Sequence, residues 1–320
     1  MTLTRPEPVH AAEHGQRPMP GRRPCDVVPT FAGVCRPRMS LSLSSALVLR
    51  LLIAVAAASY PVLALPAPAE DRMQLVEFFE KRFPGIPLEE YVYGALIANP
   101  GGREQYEQIM EFPPFLGDIE KGKKIWETQF PNGKSFADCF PRGGHNVVGN
   151  YPYFDEALGK VVSFENAINA CLRRNGEAEL AYGDREPMGV LTAYARTLSD
   201  GMRIYIRVDS PAAAAKYEAG KNLFFRRIGQ LNAACAGCHL YNAGKIMRME
   251  IISPALGQAT HWPIFRGGEE LMTLQGRFKR CMVQMRAVPY GFDSDEWNNL
   301  EYFLTYLSNG LPLKSAVFRK

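Results

Sequence analysis

The sequence predicts an all-α chain made of two tandem copies of one helical module. The first observation behind this is a recurrence of landmarks in the same order. Gly122-Lys123-Lys124-Ile125-Trp126 parallels Gly220-Lys221-Asn222-Leu223-Phe224, and a cysteine follows the glycine by 17 positions (Cys139) or 15 (Cys235). A later cysteine, Cys171 or Cys281, then precedes a Tyr-Gly pair, Tyr182-Gly183 or Tyr290-Gly291. Each half closes on Leu198-Ser199-Asp200-Gly201 or Leu307-Ser308-Asn309-Gly310, and late cysteine and terminal glycine lie 30 and 29 residues apart. The second observation is apolar spacing of helical period around these landmarks, with little strand alternation.

Taken in order, residues 1–69 read as an N-terminal extension and secretory signal rather than as a domain. Ala46 to Ala58 is an apolar run interrupted only by Arg50, and Ala64-Leu65-Pro66-Ala67-Pro68-Ala69 supplies small residues for cleavage between Ala64 and Ala69. An uncleaved anchor is the alternative, for which the run is short. Residues 1–38 are rich in Pro and Arg and precede Met39, which reads as the true start. The first 69 residues hold seven Lys/Arg against three acidic side chains, and the rest of the chain carries 30 of each. A neutral body of that kind offers no basic face for nucleic acid.

Residues 70–209 form the first module and 210–320 the second, divided near Asp209-Ser210-Pro211. The second opens on a helix from Ala212 to Phe225 that begins with four alanines and sets Tyr217, Leu223 and Phe224 at core spacing. It closes on a helix in which Asp293 and Glu296 suggest a capping box. Trp297, Leu300, Phe303, Leu304 and Leu307 share one face there, and Gly310 supplies a left-handed stop.

Between these helices stands Cys235-Ala236-Gly237-Cys238-His239. Two thiols three positions apart with an imidazole directly after them form the attachment signature of c-type haem. Cys235 and Cys238 are the thioether positions and His239 the iron ligand, so one covalently bound c-type haem is expected. A zinc site would need two further ligands at matching spacing, and a redox dithiol would need a βαβ setting. Helix, haem motif, irregular wrapping, distal ligand and closing helix is the order of the class I cytochrome c fold, which each half therefore resembles. The first half is expected to lack haem. Arg142 and Gly143 stand where the second cysteine and the histidine are needed, and His145 is out of register. Haem attachment of this type takes place outside the bacterial cytoplasm, in agreement with an export signal and with a periplasmic location.

Five cysteines follow the signal. With two on haem, Cys139 and Cys171 either pair as a disulfide, as an oxidising compartment favours, or stay as two buried thiols. Cys281 remains, aligned with Cys171, in the region where such a domain supplies its distal ligand. Arg277, Lys279, Arg280 and Arg286 surround it in sequence and favour a thiolate. A thiolate on iron lowers the potential, whereas Met272, Met282 or Met285 in that role would make a plain electron carrier. Arg277 or Arg286 suits a small dianion held by charge-assisted hydrogen bonds. For Lys279 and Arg280 a surface ion pair or a haem propionate is the simpler role. His261, in the loop before Trp262-Pro263, reads as structural because His239 and Cys281 already fill both axial positions.

Gly257-Gln258-Ala259-Thr260-His261-Trp262-Pro263, Leu274 to Cys281 (LQGRFKRC), Arg286-Ala287-Val288-Pro289-Tyr290 and Cys171 to Gly176 (CLRRNG) carry a family resemblance. Over about residues 75–315 the chain resembles the SoxA subunits of the bacterial sulfur-oxidising (Sox) system. The resemblance implies L-cysteine S-thiosulfotransferase activity, the oxidative joining of thiosulfate to a cysteine of the carrier SoxYZ. It implies a small cytochrome c subunit, SoxX, as partner and a cytochrome c as electron acceptor. It makes Cys281 the catalytic residue and distal ligand opposite His239, and Arg277 the substrate-binding residue at the entrance. Members hold one haem or two, and Arg142 and Gly143 place this sequence with the one-haem forms. A non-enzymatic periplasmic electron-transfer cytochrome c is the competing expectation, and a haem peroxidase with an open distal position a third.

Overall fold

The computed structural model describes residues 68–183, 186–266, 270–314 and 317–319; the expected signal and apolar run lie outside them. The described chain opens with α1 (Pro68–Arg82), a 3-10 stretch from Leu88 to Ala98 and α2 (Pro100–Glu111). Asn99 caps α2 by accepting from Gly102 N, with Pro100 at the first helical position. Next come α3 (Leu116–Glu127) and short 3-10 turns at Phe136–Cys139, Pro141–Gly144 and Val148–Asn150. The antiparallel pair β1 (Tyr153–Asp155) and β2 (Lys160–Val162) leads into α4 (Phe164–Arg174), and α5 (Met188–Thr197) follows.

The second half repeats this plan. α6 (Pro211–Phe225) starts on the Ser210 cap, and α7 (Cys235–His239) is a single short turn carrying the haem motif. A small antiparallel pair, β3 (Ile246–Met247) with β4 (Glu250–Ile251), follows it. Then β5 (Ile264–Arg266) pairs antiparallel with β6 (Glu270–Met272) and leads into α8 (Leu274–Gln284), before α9 (Asp295–Leu307). β7 (Val317–Arg319) adds to β5 in parallel.

In each half the first helix lies across the last at a glycine. A Cβ on Gly122 would overlap the Val190 carbonyl oxygen and sit 2.8 Å from Tyr194 Cβ. A Cβ on Gly220 would overlap the Asn299 carbonyl oxygen and sit 2.9 Å from Phe303 Cβ. Backbone therefore touches backbone at both crossings, which only a missing side chain permits. Aromatic pairs one turn on complete each joint, Trp126 on Tyr194 and Phe224 on Phe303. The capped helices α4 and α8 match as well. Ser163 accepts from Asn166 N and Thr273 from Gly276 N, and Cys171 and Cys281 each come eight residues after the cap.

The all-α expectation holds for the framework, while the strands went unforeseen. Each is two or three residues long, too short for alternation to register. The α9 cap also differs from expectation. Ser294 Oγ accepts from Trp297 N, whereas Asp293 adopts φ +61° and accepts instead from Asn166 Nδ2 at 2.7 Å and Asn298 Nδ2 at 2.8 Å. Serine at this cap places its oxygen on the free N–H without needing a partner three residues on.

Residues 68–99, at the start of the described chain, strap the second half. Lys221 Nζ binds the Asp71 carboxylate at 2.7 Å, and Tyr217 OH donates to it at 3.0 Å. Arg82 Nε donates to Ala243 O, Phe83 fills the space a Cβ on Gly244 would need, and Tyr91 abuts Gly257. One continuous core runs through both halves, including Phe79, Trp126, Ile168, Leu191, Tyr217, Leu256 and Trp297.

Cys139 and Cys171 form a disulfide with Cα atoms 5.7 Å apart, joining the Phe136–Cys139 turn to α4 across 32 residues. Two outcomes follow in denaturant unfolding of the haem-loaded protein. Gly220→Ala should cost about 3 kcal/mol or more, since backbone must separate, while Gly101→Ala, with nothing within 4 Å of its added methyl, should not destabilise. Replacing Cys139 and Cys171 by serine should cost about 3–4 kcal/mol on the chain-entropy estimate. A Gly220→Ala protein or a Cys139→Ser/Cys171→Ser protein as stable as the parent contradicts the corresponding assignment.

Candidate haem site

The segment that leads into α7 is pinned to the end of α8. Gln230 N donates to Arg286 O and Leu231 N to Met285 O, both at 3.3 Å. Gly229, at φ +70°, lies where a Cβ would overlap the Met285 carbonyl oxygen. Reciprocal bonds between Ile228 and Ala233 close the turn just before Cys235. The helix carrying Cys281 is thereby held against the turn carrying Cys235, Cys238 and His239.

Electrostatics report the same convergence. Burial, and then the nearby Cys281 sulfur, pushes the Cys235 thiol up to about 12, and the same two causes raise Cys238. Burial lowers His239, and Arg277 lowers it further by charge repulsion. Cys281 thus lies near both thiols of the motif and Arg277 near its imidazole.

His239 passes the test for an iron ligand. Its Nδ1 lies 2.9 Å from Ser253 O, so that nitrogen carries the proton and donates it to the carbonyl. Nε2 is left with its lone pair, the tautomer a metal needs. Burial keeps the ring neutral, which spares the cost of removing a proton before binding. Ser253 is held in turn by its hydroxyl, which donates to Gln258 Oε1 at 2.9 Å, while Ala255 N donates to His239 O. Among the described residues no group of three or more His, Cys, Asp or Glu side chains gathers as a bare metal ion would require.

On α8 the buried side chains Phe278 and Met282 face the core, while Arg277 and Cys281 are half-buried and lie one turn apart on a common face. Met272 is buried too. Met285 packs partly against the core as its carbonyl receives Leu231. Of the expected cationic cluster, Lys279 is exposed with its ammonium 5.0 Å from the Phe292 ring centroid, and Arg280 and Arg286 are exposed. Arg277 is the cation that shares the face of Cys281. His261 is buried and stacks on Trp262, in a structural setting.

At the corresponding place in the first half, Arg142 is exposed and spends its guanidinium on His145 O at 3.1 Å and Asn146 O at 2.7 Å. Trp126 stacks on Phe136 and Phe140 in the interior of that half. Sequence reasoning missed Ser253, whose role appears only when the chain returns to His239. It also missed Gly229, whose signal was a glycine close before the haem motif.

Comparison with known proteins shows the family. The family described as SoxA/TsdA, cytochrome c domain, matches residues 121–204 and 219–313. An L-cysteine S-thiosulfotransferase subunit SoxA of Allochromatium vinosum is 41% identical over 273 residues, covering 84% of this chain and 96% of that protein. Its counterpart in Chlorobaculum tepidum is 42% identical over 244 residues, covering 76% of this chain and 85% of the other. A crystal structure of SoxXA from P. pantotrophus superposes with a TM-score of 0.61 at 26% identity, covering 68% of this chain and 84% of that one. The chain belongs to the SoxA family of L-cysteine S-thiosulfotransferase subunits, a family whose cytochrome c domain implies a haem cofactor.

Proposed function

We propose that this chain couples thiosulfate oxidatively to a cysteine of a SoxYZ-type carrier, in a heterodimer with a SoxX-type cytochrome. The protein would be exported to the periplasm and pass electrons to a cytochrome c. Residues 70–209 and 210–320 act as tandem class I cytochrome c-like domains, the first without haem. Cys235 and Cys238 would hold one haem covalently, and His239 and Cys281 would ligate its iron. When bound, it supplies an electron acceptor beside the reacting sulfurs.

The observation that carries this reading is the pairing of Cys281 with Arg277 on the face of α8 held against the haem motif. The Arg277 guanidinium binds the sulfonate oxygens of thiosulfate through charge-assisted hydrogen bonds and directs its outer sulfur toward Cys281. Joining the carrier thiol to thiosulfate makes one sulfur–sulfur bond, releases the thiol proton and gives up two electrons, which the cytochrome acceptor takes. The half-buried position of Cys281 lets a carrier arm approach while the protein still excludes most water.

In coupling assays with thiosulfate and carrier, Cys281→Ala and Cys281→Met should each lose activity by about 100-fold or more. Arg277→Ala should raise KM for thiosulfate by about 10–100-fold, the loss of one hydrogen bond to a charged group. Full coupling activity in Cys281→Ala sinks the reading.

A further inference from the structure

Away from the haem motif, three charged side chains meet in a cavity where the two halves join. Arg196 of α5 and Glu301 of α9 are 8% and 7% exposed, and Glu165 of α4 is half-buried. The cavity measures about 10 Å³ and is closed by Tyr151 and Phe164 from the first half and by Trp262 and Leu274 from the second. Corresponding positions of the repeat line it together, Glu165 with Gln275 and Thr192 with Glu301. The duplication thus brought two similar surfaces together, and each contributed a carboxylate.

The charges do not balance by direct pairing. Arg196 Nη1 reaches Ala259 O at 3.5 Å, and its Nε has no hydrogen-bond partner in the protein. Among the described residues it makes no ion pair as close as the Lys221–Asp71 bridge. Glu301 Oε2 accepts from Gln275 Nε2 at 3.1 Å. Two carboxylates beside one guanidinium leave an uncompensated negative charge in a largely buried seam, and neutralising one of them with a proton is the cheaper state.

We propose that this cavity binds one proton and one water molecule: Glu165 and Glu301 share the proton, and the water bridges Arg196 Nε to the carboxylates. A cavity of this size takes a single water, and the three side chains supply the polar partners it needs. Supporting evidence comes from the titration of the pair. Burial, then Glu165, pushes Glu301 up to about 8, and burial raises Glu165 as well. Arg196 opposes both shifts and Asp293, from the turn before α9, adds to both; α8 contributes the uncharged Gln275. Because the folded value stands above the ordinary one, the stabilisation is complete at low pH and is lost as pH rises through about 8.

The site reaches α8 by a short route. Gln275 holds Glu301 with its amide nitrogen and Asn298 with the same group, and its carbonyl oxygen accepts from Asp293 N at 2.9 Å. Gln275 lies two residues before Arg277 on the same helix. The inference concerns the seam alone and does not rest on the proposed coupling reaction.

Infrared pH titration of the haem-loaded full chain tests it through the C=O stretch of a buried carboxylic acid. The band should be present at neutral pH, disappear as pH passes about 8, and be missing at neutral pH from Glu301→Gln and from Glu165→Gln. Thermal unfolding should become less dependent on pH between neutral and alkaline values in either variant. A parent protein with no such band at neutral pH overturns the proposal, as does a band that persists unchanged in Glu301→Gln. Should one variant fail to fold, the parent titration and the other variant decide.

Discussion

Where α6 crosses α9, no side chain separates the two backbones: Gly220 sits against the Asn299 carbonyl, and a methyl there would also press on Phe303. The position of everything between those helices depends on this contact. Residues 226–294 leave from one helix of the pair to return at the other. Fixing both ends lets a few local bonds set the rest, chiefly those from Gln230 and Leu231 to the end of α8. Packing density does the remaining work, since Phe278, Met282 and Trp297 are buried in the same core. The α1 strap then closes the second half from outside through Asp71, Lys221 and Tyr217.

The two halves of the sequence carry matching landmarks with different side-chain chemistry. Cys171 and Cys281 each come eight residues after the cap of their helix, yet Cys171 is fully buried in a disulfide and Cys281 is half-buried and outside any disulfide. One residue pair marks the divergence clearly. Arg277 corresponds to Ala167, so the cation one turn before the late cysteine has no counterpart in the first half. In the first half a disulfide joins Cys139 to Cys171, and Trp126 stacks on Phe136 and Phe140.

Features local in sequence were legible before any coordinates. The haem motif needs its residues at fixed spacing, the repeat shows in glycines and late cysteines, and cysteine counting paired Cys139 with Cys171. Features that exist only through tertiary contact were not. Ser294, rather than Asp293, caps α9 because Asp293 is drawn to Asn166 across the seam. Ser253 gives no sign in sequence that its carbonyl orients His239. Residues 68–99 could not be assigned to the second half by their position in the chain. The two- and three-residue strands carry too little pattern to be read, and the Glu165–Arg196–Glu301 cluster needs all three helices in place before it exists.

The account of the site turns on which atom faces His239 across the iron. Electron paramagnetic resonance of the oxidised, haem-loaded native protein reads that atom directly. A low-spin signal of the histidine–thiolate type is the predicted result, and it should vanish in Cys281→Ala. A histidine–methionine signal, or a high-spin signal from an open position, would contradict the placement of Cys281 on the iron.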